Sequence, residues 1–410
     1  ALVERHGVDF VVEPCARRAF PDSAYEDAGA RVRANLSECR PVLGVKEIPI
    51  ERISPGGTYL CFSHTTKGQA CNMPLLERFL DLGCTLIDYE HIVDRHGRRL
   101  IFFGRHAGYA GMLDALWALG RRLAAEGIDT PFSRVRLAHE YGSLDQATRH
   151  VWQVGEQIRH DGLPDRLQPL VCAFTGSGHV TQGALEIIQR LPTIEVVPAE
   201  LPGLFEDDRR RLNVIYTLRL ARPDRYRRIA GGTLDAVELR LHPERYESSL
   251  PRWLDYLTLL VHGAWWHPEQ PRILTLDTLR RIWIGGAPRL RVIADVSCDI
   301  GGAIESTVRA TSPGQPAYVY DVLRDRPIEG VTGSGPVMLA VDNLPCQLPA
   351  ESSQTFGDAL VRFVPALAAC DWDADLESLD VPDAIRRAIV THKGALAPDF
   401  THLNAYIGSR

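Results

Sequence analysis

The chain has 410 residues, enough for two domains of ordinary size, and 45% of them are apolar, so each half can bury a core. A formal net charge of −6, with no stripe of Lys and Arg, argues against nucleic acid as the main partner. No run of about 18 apolar residues offers a membrane span, and no signal-peptide pattern opens the chain.

Nine cysteines are scattered without a C-x-x-C pair, which predicts reduced thiols in a cytoplasmic protein and no zinc site. The chain opens without Met, and ALVERHG reads as the end of a helix that begins upstream. Short apolar strands are expected at 8–12, 41–45, 58–63, 84–88 and 100–103, with an amphipathic helix over 74–82. Such alternation predicts an α/β fold with a parallel sheet covered by helices. A long helix follows at 108–127, closed by Gly127, and another over about 143–160. Strands recur near 170–175, 194–197, 257–261, 290–294 and 336–341, while 205–252 is charged and irregular. A helix over 351–369 returns the chain to its first part. The organisation expected is a substrate domain of 1–142 completed by 343–410, and a dinucleotide-binding domain of 143–342.

The glycine motif FTGSGHVTQGA (174–184) lies between a strand and a helix. Gly176 permits the tight turn and Gly178 lets a pyrophosphate approach the backbone, with Gly183 further on. The free N–H groups of the helix start, from Gly176, Ser177, Gly178, His179 and Val180, would face the phosphates. The spacing is G-x-G-x-x-x-x-G, so a strand–helix turn without a ligand stays open as an alternative. The next strand, IEVV, ends at Val197 with no ribose-binding acid: Glu195 lies inside it and Glu200 beyond Pro198. With Arg209, Arg210 and Arg211 nearby, the cofactor is NADPH or NADH, and NADPH is favoured.

Ionisable residues recur at strand ends in the first part. Lys46 and Glu47 follow one strand, His64 and Lys67 the next, and Asp88, Tyr89 and Glu90 a third, with Arg98 and Arg99 shortly after. In an open parallel sheet these ends share one edge, where ligands bind. Cations there can hold carboxylates, and a His can move protons near neutral pH. Each group also has a plain role: a turn His, a solvated Lys, Glu90 as a helix cap, and Arg99 paired with Asp94.

Taken together, GVKE (44–47), FSHTTKGQACNMPLL (62–76), LIDYEHIVDRHGRRLIFFGRHAGYAGM (86–112), the glycine motif, HPERY (242–246), VDNLPCQLP (341–349) and AIVTHKGAL (388–396) resemble a known family. It is the lysine–2-oxoglutarate reductase half of the aminoadipic semialdehyde synthases, with the fungal lysine-forming saccharopine dehydrogenases. Both belong to the alanine dehydrogenase and transhydrogenase superfamily. The resemblance implies two Rossmann-like doubly wound domains with an interdomain cleft. It places the proton-transfer pair on Lys46 and His64, and further cleft residues on Lys67, Glu90, Arg99 and Asp342. It implies NAD(P)H-dependent condensation of an amino acid, L-lysine first, with a 2-oxo acid, 2-oxoglutarate, to saccharopine or a related opine. Members range from monomers upward, so a homo-oligomer is an open outcome.

Two departures stand out. The family's opening strand, with an Arg-rich motif for the keto-acid carboxylate, has no counterpart, and its loss would leave an unpaired sheet edge. The apolar-Tyr-Trp cleft segment reads Ala264-Trp265-Trp266. An alanine-type dehydrogenase using free ammonia and a non-catalytic dinucleotide-binding protein are the rival expectations.

Overall fold

A computed structural model describes residues 2–206, 211–286 and 288–408. The chain divides into two compact units, Ala1–Phe103 with Ser353–Arg410, and Gly104–Ser352. These borders put the long helix Gly104–Ala125 in the second unit, whereas the sequence suggested a border at 142/143.

In the first unit a five-stranded sheet runs in the order Ala395–Leu396, Ile389–His392, Thr85–Asp88, Thr58–Cys61, Val42–Leu43. The last three strands are parallel. Ile389–His392 is antiparallel to Thr85–Asp88, so the sheet is mixed where a parallel one was expected. The helix Met73–Asp81 places Met73, Leu75, Leu76 and Phe79 on the sheet at helical spacing, with Pro74 in its first turn. Two sequence expectations change here. The strand expected at 8–12 is the short Val11–Val12, which pairs with Arg31–Val32 in a separate two-stranded sheet. The segment 100–103 forms no strand; a turn at 94–98 and the single bridge Val93–Arg99 stand just before it.

The second unit holds an eight-stranded sheet. Its order is Arg326–Glu329, Ala317–Asp321, Val337–Leu339, Val292–Asp295, Leu259–His262, Val171–Thr175, Ile215–Leu220, Thr193–Val196. All but the first two are parallel; those two form an antiparallel hairpin against Val337–Leu339. Strand residues alternate between two cores, as a period of two requires. Cys172, Phe174, Leu259 and Val261 join Leu113, Leu116 and Ile187 on one face. Val171, Ala173 and Leu260 join Leu239, Leu250 and Leu279 on the other. The charged stretch 205–252 is therefore not all irregular: IYTLRL is a strand buried at every position but Arg219. The helix Leu144–Asp161 is capped by the Ser143 hydroxyl, which accepts from Gln146 N, and closes at Gly162 with φ of +74°. The helix expected at 351–369 is two, Pro349–Leu360 and Val364–Ala369. Among the described residues no helix is long and apolar enough to cross a membrane.

Candidate active site

In the first unit the parallel strands end side by side, Leu43 opposite Leu60 and Cys61 opposite Asp88. The ladder continues past the strands: Gly44 N donates to Leu60 O at 2.8 Å, and Phe62 N to Val45 O at 3.1 Å. That brings Lys46 and Glu47 level with Ser63 and His64. The His64 Nδ1 is hydrogen-bonded to the Glu47 carboxylate. A carboxylate only accepts, so Nδ1 carries the proton and Nε2 is the nitrogen left for exchange. His64 sits at φ of +52°, a left-handed conformation a side chain adopts at a cost. Its carbonyl accepts from Asn72 Nδ2 at 2.9 Å, which helps hold that turn.

Asp88 ties two strand ends together. It accepts from Ser63 N at 3.2 Å and from the Ser63 hydroxyl, and from Glu90 N at 2.8 Å. Burial pushes its carboxyl pKa up, against the hydrogen bonds from Ser63 and Glu90. Beneath both turns Phe62 and Tyr89 pack at 5.1 Å, and Tyr89 meets Phe356 edge-on at 5.2 Å. Glu90 pairs with Arg99 at 3.0 Å. The turn that folds Arg99 back is made by Asp94, which accepts from His96 N and Arg98 N and pairs with the Arg98 side chain at 2.7 Å. The surface partner expected for Arg99 thus belongs to Arg98, and the helix-cap role expected for Glu90 belongs to Asp88. Lys46 and Lys67 are exposed, and among the described residues neither has an ion pair. Sequence reasoning passed over the roles of Glu47 and Asp88; a carboxylate at each strand end was the available signal.

In the second unit Leu220, Thr175, His262 and Asp295 form one row across the strand ends. All four are buried. Thr175 and His262 Nδ1 are hydrogen-bonded at 2.7 Å, and Asp295 accepts from the Ser297 and Thr307 hydroxyls, each at 2.6 Å. Burial lowers the His262 pKa to about 3, with the nearby Arg225 guanidinium adding to the effect. Among the described residues His262 Nε2 has no hydrogen-bond partner.

The glycine loop starts directly after Thr175. Gly176 has φ of +95°, and a Cβ there would lie 3.1 Å from the Ala264 backbone. At Gly178 a Cβ would meet open space, room that a phosphate group can use. Gly178 caps the ten-residue helix His179–Ile188 without a side-chain bond, so no cap side chain stands between the helix start and an incoming phosphate. A Cβ on Gly183 would lie 2.1 Å from Arg105 O, and one on Gly108 2.0 Å from Val180 O. These two glycines let the helices cross backbone on backbone, so Gly183 serves packing rather than direct contact. Ser177 lies in the turn, and Val180 lies against Gly263 as well as Gly108.

Strand order departs from expectation. The neighbour of the glycine-loop strand is Ile215–Leu220, not Thr193–Val196, which lies at the sheet edge. In dinucleotide folds the strand beside the glycine loop ends near the ribose; here that strand ends at Leu220, and the one read from sequence to end at Val197 lies at the sheet edge. Arg209 and Arg210 lie outside the described residues, and Arg211 N donates to Tyr216 Oη at 3.4 Å. Asp342 is exposed just past Val337–Leu339 and adds to the upward pull on the Cys298 thiol, whose pKa burial first raises to about 12. Trp265 is exposed, while Trp266 Nε1 donates to Pro271 O at 3.2 Å. These residues fit a dinucleotide: a cradle shaped by glycine, a helix start with no side-chain cap, and, among the described residues, a buried His262 Nε2 without a hydrogen-bond partner.

Comparison with known proteins agrees in kind. Residues 1–110 match the description "Alanine dehydrogenase/PNT, N-terminal domain", and 269–398 match "Alanine dehydrogenase/PNT, C-terminal domain". Alpha-aminoadipic semialdehyde synthase, mitochondrial, of Bos taurus is 36% identical over 97% of this chain and 44% of its own length. The chain thus spans less than half of that relative. Saccharopine dehydrogenase (NAD(+), L-lysine-forming) of Schizosaccharomyces pombe is 26% identical over 89% of this chain and 86% of its own. The solved structure of an L-alanine dehydrogenase superposes with a TM-score of 0.60 at 19% identity, covering 98% of this chain and 92% of that one, which supports the α/β fold. The two matched stretches together cover more than half of the sequence, and by them the chain belongs to the alanine dehydrogenase/PNT family.

Proposed function

We propose that this chain catalyses the NAD(P)H-dependent reductive condensation of an amino acid, L-lysine first, with 2-oxoglutarate, giving saccharopine or a related opine. The observation that carries this reading is the Glu47–His64 hydrogen bond beside Lys46 at parallel strand ends. The Glu47 carboxylate fixes the imidazole tautomer, so His64 Nε2 takes a proton from the incoming amine and returns one to the departing water. Lys46 donates to the oxygen of the keto group as the carbinolamine forms and collapses to the imine. Arg99 and Lys67 hold carboxylates by charge-assisted hydrogen bonds. Glu90 orients Arg99 through their ion pair, and Asp342 positions a cationic group. When bound, NAD(P)H supplies the hydride; Gly176, Ser177, Gly178, His179 and Val180 would hold its pyrophosphate, and Gly183 sets the helix that carries them. NADPH is the favoured form. The thiols fit a reducing compartment: composition suggests a cytoplasmic location, while the bovine relative is named as mitochondrial.

The test is the oxidation of NADPH and of NADH with 2-oxoglutarate, with and without L-lysine, then with other amines. Lysine-dependent oxidation is expected. Turnover with ammonia and pyruvate but not with lysine would replace this reading with an alanine-type one. Nucleotide binding without turnover on any amine would make the chain non-catalytic.

A further inference from the structure

Topology puts an unexpected strand beside the glycine loop. Leu220 pairs in register with Thr175, the last residue before Gly176. In dinucleotide folds the end of that neighbouring strand meets the adenosine ribose: an acid there selects a free 2′-hydroxyl, and an arginine accommodates a 2′-phosphate. Here the strand runs out into Ala221, Arg222, Pro223, Asp224 and Arg225. The only acid among them is occupied, since Asp224 accepts from Ala221 N at 2.9 Å.

Two cations remain. Most arginines nearby are matched with carboxylates: Arg219 with Glu195 at 2.6 Å, Arg227 with Glu247 at 2.9 Å, and Arg228 and Arg245 with Glu238 at 2.8 Å each. Among the described residues, Arg222 and Arg225 have no such partner. Arg222 is exposed. Arg225 is only 7% exposed, and its Nε meets no hydrogen-bond acceptor. Asp224 acts on Arg225 only from a distance, and a buried guanidinium without a bonded carboxylate is costly, so an anion that arrives later can offset the cost. Arg225 also lies close enough to His262, two strands away, to depress that imidazole's pKa. Its charge therefore acts over the end of the glycine-loop strand.

We propose that Arg222 and Arg225 together bind the adenosine 2′-phosphate of NADPH and so select NADPH over NADH. This rests on the reading of the glycine loop as a dinucleotide site. Arg222 supplies the contact from solvent, and Arg225 the desolvated charge behind it. Pyrophosphate stays with the glycine loop, on the helix His179–Ile188.

The experiment measures binding of adenosine 2′,5′-bisphosphate, 5′-AMP, NADPH and NADH by calorimetry, without substrates. The unchanged chain is expected to prefer the 2′-phosphorylated member of each pair by about tenfold to hundredfold, the range of charge-assisted hydrogen bonds. Arg222→Ala, an exposed change that spares folding, is expected to remove most of that preference and leave NADH affinity within about twofold. Arg225→Lys keeps the charge but not the fork and is expected to reduce the preference partly. NADH binding with no preference in the unchanged chain, or a preference that survives Arg222→Ala, would overturn the proposal while leaving the dinucleotide site intact. No binding of any of the four would overturn the dinucleotide site as well.

Discussion

At the strand ends of the first unit, the His64 and Glu47 side chains are 32% and 39% exposed and bonded to each other. At those of the second, Thr175, His262 and Asp295 are buried, and among the described residues Arg225 beside them has no ion pair and its Nε no hydrogen-bond partner. The His64–Glu47 pair at the first edge is bonded together and open to solvent, which suits groups that must exchange protons with a substrate. The second is dry and holds unmatched polar atoms, which suits a site completed by a charged ligand. Both are ends of parallel strands, yet exposure divides them by task.

The sharpest way to break this contrast is at the first edge. His64→Ala and Lys46→Met are each expected to lower kcat by roughly 10²–10⁴-fold, as the loss of an acid–base group does, with cofactor affinity unchanged. Steady-state kinetics alongside NAD(P)H titration checks this, and normal turnover in both variants would remove the acid–base assignment. At the second edge, Gly178→Val fills the open space next to the loop and is expected to weaken nucleotide binding by more than about a hundredfold with little change in Tm. Gly183→Ala should do the reverse. Its Cβ meets Arg105 O, so a stability loss of about 1–3 kcal/mol is expected in denaturant melts.

Acidity separates the edges in a further way. The His262 pKa, about 3 in the fold, lies below the roughly 6.5 of an unfolded histidine. Its contribution is fully present above pH ~6.5 and is lost as pH falls toward 3, because only the unfolded chain takes up the proton in that window. The Tm of His262→Asn is therefore expected to fall less than that of the unchanged chain between pH 6.5 and 4; parallel curves would show that His262 is not the group responsible. The smallest effect is at Glu90→Gln. Its pair with the half-exposed Arg99 is worth about 0.2–1 kcal/mol, so KM for the carboxylate substrate should rise about two- to fivefold with kcat nearly constant. A larger fall in kcat would give Glu90 a part in the chemistry itself.

Much of this was legible in the sequence where local rules act. The glycine turn and the strands before Lys46, His64 and Glu90 follow from period and turn chemistry. Strand order did not follow from such rules. Ile215–Leu220 is flanked by arginines, and only long-range pairing brings it next to Val171–Thr175 ahead of Thr193–Val196. The hairpin Ala317–Asp321 with Arg326–Glu329 escaped for the same reason. The Glu47–His64 bond depends on a positive φ at a non-glycine residue, which composition does not announce.

The bare crossing of Gly108 over the start of the helix His179–Ile188 bears on how a nucleotide arrives. No side chain has to rotate for the two helices to meet, so their angle is set when the chain folds. The phosphate cradle is then preorganised, and little ordering entropy is left to oppose binding. Association should proceed in a single fast phase, at a rate governed by encounter rather than by rearrangement of the loop.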